Sequence, residues 1–205
     1  MEGVCSAMEA YDFYRDVYHL KDEELIQKFA KATRRKRLKK GEFVVRIGEI
    51  LNHVYFMESG ILRGYFLDAD GREVTDCFCA QCGCTAMPFG QMELNVPSPI
   101  SIEILEDGYF FYVPISEVIA LQKDYEEITL LYNRLLIQAL EEHRKLKQVL
   151  NQYTAIQRYQ WFLQEYPGLI ERVRNKYIAS FLGVTPVTLS RLRRSLREAE
   201  EKEAE

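Results

Sequence analysis

Between Asn175 and Leu196 the chain sets hydroxyl and guanidinium side chains at a spacing suited to reading a nucleic acid. Thr188, Ser190, Arg191, Arg194 and Arg197 share one side of a helical period, and Leu189, Leu192 and Leu196 share the other. Such donors can bond base edges and phosphates in a major groove. The local chemistry defines the element that presents them. Ile178, Phe181 and Leu182 make the apolar face of a first helix, and Gly183 supplies the left-handed backbone that ends it. Thr185 caps a second helix whose first position is Pro186, where a missing N–H is harmless. Thr185, Val187, Thr188, Ser190, Arg191 and Arg194 are therefore the candidate DNA-binding residues. The competing reading is a helical hairpin that only packs.

Charge separates the two readings. The 205 residues carry a formal net charge of -4, which argues against nucleic acid only if charge is evenly spread. From Glu171 to Arg197 the basic residues are Arg172, Arg174, Lys176, Arg191, Arg193, Arg194 and Arg197, against the single acid Glu171. A patch of this kind attracts phosphates by releasing condensed counterions. Glu198, Glu200, Glu201, Glu203 and Glu205 then reverse the sign, as a solvated helix end or as an internal competitor of DNA.

A second cluster is Cys77, Cys79, Cys82 and Cys84. Thiolates this dense bind zinc or iron–sulfur centres, or sense oxidants. The spacing is not a common ligand pattern, and in a strand Cys77 and Cys79 share one face. Small apolar side chains in a core are the favoured reading, with a metal or redox sensor as the alternative. No cofactor is expected. His19, His53 and His143 are dispersed, so a cupin-like metalloenzyme lacks its usual ligands and no enzymatic activity is expected.

The elements that must position these groups follow from three regimes of periodicity. Residues from about Glu9 to Ala32 read as helical. From Leu38 to about Val113 short apolar or alternating runs, such as Val54–Met57, Ile61–Leu67, Ile100–Ile104 and Tyr109–Val113, are punctuated by turn residues such as Asp70-Gly71. Many short strands with regular turns indicate an antiparallel barrel or sandwich. Arg34–Arg37 reads as a solvated approach to the first strand. From near Ile115 to Asn151 a long helix carries Ile128, Leu131, Leu135, Leu146 and Val149 near heptad spacing, and Leu136, Leu140 and His143 on a second stripe. Two partly apolar faces suit packing on the chain's own core with one and on a second copy with the other. No apolar run is long enough to span a bilayer and no secretory signal is evident, so a cytoplasmic protein without membrane contact is expected.

This order of parts resembles the Crp/Fnr family of bacterial transcription regulators. The resemblance rests on Lys40-Gly41-Glu42, Arg46-Ile47-Gly48-Glu49, Tyr55 to Gly60, Asp70-Gly71, and Ile178-Ala179 through Gly183 to Arg191. It implies an α+β chain in three parts. Residues 1–114 would form an N-terminal helical segment and an antiparallel jelly-roll barrel of cyclic-nucleotide-binding type; 115–151 would form the dimerisation helix; 152–205 would hold the helix-turn-helix. Double-stranded DNA, a second copy of the chain and a small-molecule effector are the implied partners, and RNA polymerase is a further candidate. The implied effector pocket includes Met87, Phe89, Gln91 and Ser101. Cyclic-nucleotide-binding members carry Gly-Glu for the ribose and an arginine for the phosphate. Here Gln91 replaces the glutamate, and no Lys, Arg or His lies between Arg72 and Lys123. Burying a phosphodiester without a cation is costly, so an effector other than a cyclic nucleotide is expected. A non-DNA-binding small-ligand jelly roll is the other alternative. The family's wing has no counterpart in Glu198–Glu205, and Pro186 and Val187 occupy two customary base-reading positions. Specificity then leans on Arg191, bidentate to guanine, and on the methyl groups of Val187 and Thr188 against thymine.

Overall fold

The computed structural model describes residues 8–87 and 95–203, with side chains described up to Glu198. Two helices, α1 (Ala10–Asp16) and α2 (Glu23–Ala32), open the chain in place of the single helical stretch expected. The break falls at His19, whose φ of 56° is left-handed. Asp22 restarts the helix by accepting the Leu25 N–H at 2.9 Å.

Among the described residues eight strands follow: β1 (Arg34–Leu38), β2 (Phe43–Val45), β3 (His53–Met57), β4 (Ile61–Leu67), β5 (Glu73–Cys79), β6 (Thr85–Ala86), β7 (Ser101–Glu106) and β8 (Gly108–Pro114). They form two four-stranded sheets, of order β1-β8-β3-β6 and β2-β7-β4-β5. The expected mixture of helices with antiparallel strands is therefore present, as a pair of sheets. The basic run Arg34–Arg37 is not an approach to a strand; it is most of β1, paired with β8 from Arg34↔Tyr112 to Leu38↔Gly108. An edge strand rich in Lys and Arg resists pairing with other chains, which reconciles the charge with the strand. Gly108 starts β8 where a Cβ would lie 2.0 Å from the Ser59 carbonyl oxygen, a place only glycine fits.

Instead of one helix from Ile115 to Asn151 there are α3 (Ile115–Asp124) and α4 (Glu126–Gln152), separated by Tyr125 in extended conformation. Glu126 and Glu127 then sit in the first turn of α4, where the helix dipole favours acids. Four helices complete the described residues: α5 (Ala155–Glu165), α6 (Leu169–Arg172), α7 (Asn175–Phe181) and α8 (Pro186–Glu203).

The described chain forms two compact units. One holds residues up to Leu62 with Cys79–Gln138; the other holds Arg63–Phe78 with the residues from Ala139 onward. The first has an aromatic core in which Tyr14 stacks on Phe29 at 4.2 Å and Phe13 meets Phe111 at 4.7 Å. The Thr33 hydroxyl donates to the Phe29 carbonyl and accepts the Tyr14 hydroxyl, satisfying both buried polar groups. In the second, Phe162 is fully buried and meets Phe78, Tyr166 and Phe181. No described helix is long and apolar enough to cross a membrane.

Candidate nucleic-acid interface

The turn expected at Gly183 is built as its sequence dictates. Gly183 has φ 63°, its N–H reaches the Ser180 carbonyl at 3.2 Å, and the Val184 N–H reaches the Ala179 carbonyl at 2.9 Å. These two bonds close α7 as a Schellman motif and satisfy carbonyls that the helix end would otherwise orphan. Thr185 then starts α8 by accepting the Thr188 N–H at 3.1 Å. Leu189 is fully buried and Leu192 and Leu196 half-buried, so the apolar stripe faces inward.

Sequence reasoning missed the residue that fixes this pair to the rest of its unit. Arg158 donates from Nε to the Tyr153 carbonyl at 3.0 Å, from Nη1 to Leu182 at 3.1 Å and from Nη2 to Leu150 at 2.6 Å. One guanidinium thus gathers the end of α4, the start of α5 and the end of α7, where carbonyls favour a cation. The readable signal was the capping box Thr154 to Gln157 just before it, with Thr154 N–H on Gln157 at 2.9 Å.

The candidate DNA-binding residues divide into three states. Val187, Ser190, Arg191 and Arg194 are exposed, on the side of α8 away from Leu189. Arg191 has no hydrogen-bond or ion-pair partner among the described residues. Arg194 is occupied in the free chain, pairing with Glu198 at 2.9 Å. Both partners are exposed, so this pair is weak and can yield to a phosphate. Thr188 departs from expectation: it is half-buried, and its hydroxyl is 2.9 Å from that of Thr185, so it serves the helix start before it serves a base. Along one flank of α8 an open groove of about 420 Å³ is lined by Ser190, Arg193, Arg194 and Arg197, facing Asn175 and Glu171. Arg193 is steadied there by Asn175 at 3.1 Å. The chain beyond Arg197 continues as α8 to Glu203.

Two of the four residues named for an effector pocket, Met87 and Ser101, are described. Phe89 and Gln91 lie outside the described residues. Met87 is buried beside a small apolar cavity of about 40 Å³ lined by Phe29, Val54, Phe56, Ile128 and Leu131. Ser101 is buried, its hydroxyl accepting the Ile47 N–H at 3.0 Å. Of the basic groups outside the stretch from Arg72 to Lys123 that could reach a phosphate (Arg46, His53, Arg63 and Arg134), the three arginines have contacts within the chain. The Arg46 guanidinium stacks on Phe43 at 3.5 Å, Arg134 donates to the Tyr18 carbonyl at 2.6 Å, and Arg63 pairs with Glu73.

Cys77, Cys79 and Cys84 are half-buried thiols and Cys82 is exposed. Partial burial of the sulfur, then Glu58 and Cys84, push the Cys82 thiol above its usual range. That disfavours the reactive thiolate. Among the described residues no group of three or more His, Cys, Asp or Glu side chains is placed to hold a metal ion.

Comparison with known proteins agrees with this geometry. Residues 35–125 match the cyclic nucleotide-binding domain. FixK2 from Bradyrhizobium japonicum superposes with a TM-score of 0.71 at 22% identity, covering 82% of this chain and 86% of that one. The c-di-GMP responsive global regulator CLP of Xanthomonas campestris gives 0.72 at 16% identity, covering 87% and 93%. A Eubacterium rectale protein named as a transcriptional regulator of the Crp/Fnr family gives 0.71 at 17%, covering 92% and 88%. The chain shares the fold of these proteins. No curated protein sequence matches it. The match to the cyclic nucleotide-binding domain runs from β1 through α3, and α7 and α8 make a helix-turn-helix pair.

Proposed function

We propose that the chain is a dimeric, effector-responsive transcription regulator that reads duplex DNA with α8. The observation that carries this reading is Arg191, exposed and without a partner among the described residues, on a capped helix with exposed Val187, Ser190 and Arg194. A side chain so placed is available for a bidentate contact to guanine, while Arg194 and the groove arginines suit phosphates. Arg191→Ala is expected to relax base preference at one position per half-site and to lose about 1–3 kcal/mol. Arg194→Ala should instead weaken all duplexes alike and shallow the salt dependence. Fluorescence anisotropy against a panel of single-base variants at two salt concentrations checks both. Equal preference profiles for the wild type and Arg191→Ala would refute the role of Arg191.

The effector is a molecule other than a cyclic nucleotide. Gln91 in place of the ribose-binding glutamate supports this, as does the engagement of Arg46, Arg63 and Arg134. Calorimetry with cyclic AMP and with cyclic GMP should record no binding at ligand concentrations up to roughly 1 mM, the weak end of useful affinity. Micromolar binding of either would contradict the effector assignment.

A further inference from the structure

We propose that the β4–β5 hairpin is a brace for the helix-turn-helix, and that Arg63 closes it as a positioning residue for sequence-specific binding. The proposal rests on the DNA-binding reading above. In the strand Ile61-Leu62-Arg63-Gly64-Tyr65-Phe66-Leu67, Arg63 is the charged residue, yet its exposure is only 1%. Its guanidinium carbon lies 3.6 Å from the ring centre of Tyr177 on α7 and 4.4 Å from that of Tyr65. Nη2 donates to the Glu73 carboxylate, and Nη1 lies 3.4 Å from the Thr75 hydroxyl.

An apolar side chain would fill this space with far less desolvation. What arginine adds is register: a planar cation between two rings and a carboxylate fits in one orientation, whereas methylenes slide past one another. The contact is reinforced along the same helix. β5 lies at the edge of its sheet, where outward N–H and C=O groups need partners. Ser180 of α7 meets both: its hydroxyl oxygen accepts the Thr75 N–H at 3.0 Å, and the hydroxyl donates to the Glu73 carbonyl at 3.2 Å. Phe78 adds a ring contact to Phe181 at 5.2 Å. Tyr177, Ser180 and Phe181 span just over one turn of α7, so the hairpin grips one side of that helix. α7 is joined to α8 through the tight turn at Gly183, and a shift of one moves the other. The brace leaves Val187, Ser190, Arg191 and Arg194 exposed, so the braced form is the one that reads DNA.

The test uses the full chain, a palindromic duplex obtained by selection and a scrambled duplex of equal length. In the wild type the Thr75 amide should be protected from hydrogen exchange, and Arg63→Met should speed its exchange by about 10-fold or more. The same variant should bind the selected duplex about 10-fold more weakly and the scrambled one within about 2-fold of wild type, because non-specific binding depends on charge rather than on helix placement. Tyr177→Phe keeps the ring and should behave as wild type, whereas Tyr177→Leu should copy Arg63→Met. Glu73→Gln alters a half-exposed partner and keeps the proposal testable if Arg63→Met does not fold; it should lose about 3-fold on the selected duplex only. Unchanged preference for the selected duplex in folded Arg63→Met, or in Glu73→Gln, overturns the positioning role. An unprotected Thr75 amide in the wild type overturns the brace. Failure of the wild type to select any duplex overturns the DNA reading and the positioning role with it, and Thr75 protection distinguishes that failure from loss of the brace.

Discussion

Ile137→Asp is expected to convert the chain to a folded monomer and to weaken binding to a palindromic duplex by about 100-fold or more, as joint engagement of two half-sites is lost. The expectation comes from an apolar face of α4 that the chain itself leaves open. Leu130, Ile137 and Leu140 are 58%, 59% and 69% exposed, and their spacing of seven and three residues is that of a helix–helix seam. Covering such side chains contributes roughly 1.5–3 kcal/mol each, so a symmetric pair of helices gains from both copies. A buried aspartate at the centre of that seam would be unpaired. Sedimentation and anisotropy on one preparation check the two effects together. A dimer that survives Ile137→Asp would place the subunit contact elsewhere.

Phe162→Ala should remove about 3–5 kcal/mol from the unit that carries the helix-turn-helix. Phe162 is fully buried, 6.2 Å from Phe78, 5.2 Å from Tyr166 and 6.0 Å from Phe181, so truncation leaves a void bordered by α5, β5 and α7. The chain's single tryptophan, Trp161, stacks on Phe181 at 6.1 Å in the same unit and reports its unfolding. The fluorescence transition in urea should move to markedly lower denaturant, and DNA affinity should fall with the folded fraction. A transition at the wild-type midpoint would mean that these rings do not form the core of the unit.

The parts legible in the sequence are those whose causes are local. Gly183, Thr185 and Pro186 each act within four residues, and the turn they specify has the expected geometry. Strands β3, β4, β7 and β8 were readable from short apolar or alternating runs, whereas β5 and the two-residue β6 were not named, and in β1 charge on an edge strand resembles a solvated linker. Position 125 gave no warning, because neither proline nor glycine marks the break; tyrosine simply takes an extended conformation there. The long helix was readable as two-faced, but periodicity does not say which face belongs to the chain. Ile128, Leu131 and Val149 of the heptad stripe are buried within it, and the open face is instead Leu130, Ile137 and Leu140. The hairpin's hold on α7 was invisible for a different reason: Thr75 and Ser180 are 105 residues apart, and no local propensity encodes such a pair. A lone arginine inside an apolar strand was the signal that could have exposed it.

Selection of the wild-type chain from random duplexes, with the mass of the complex read by sedimentation, tests the central claim most directly. The expected result is an enriched palindrome whose half-sites lie about one helical turn apart, or a multiple of it, bound by two copies of the chain. Enrichment of no motif, with the protein sedimenting as a monomer, would contradict the account.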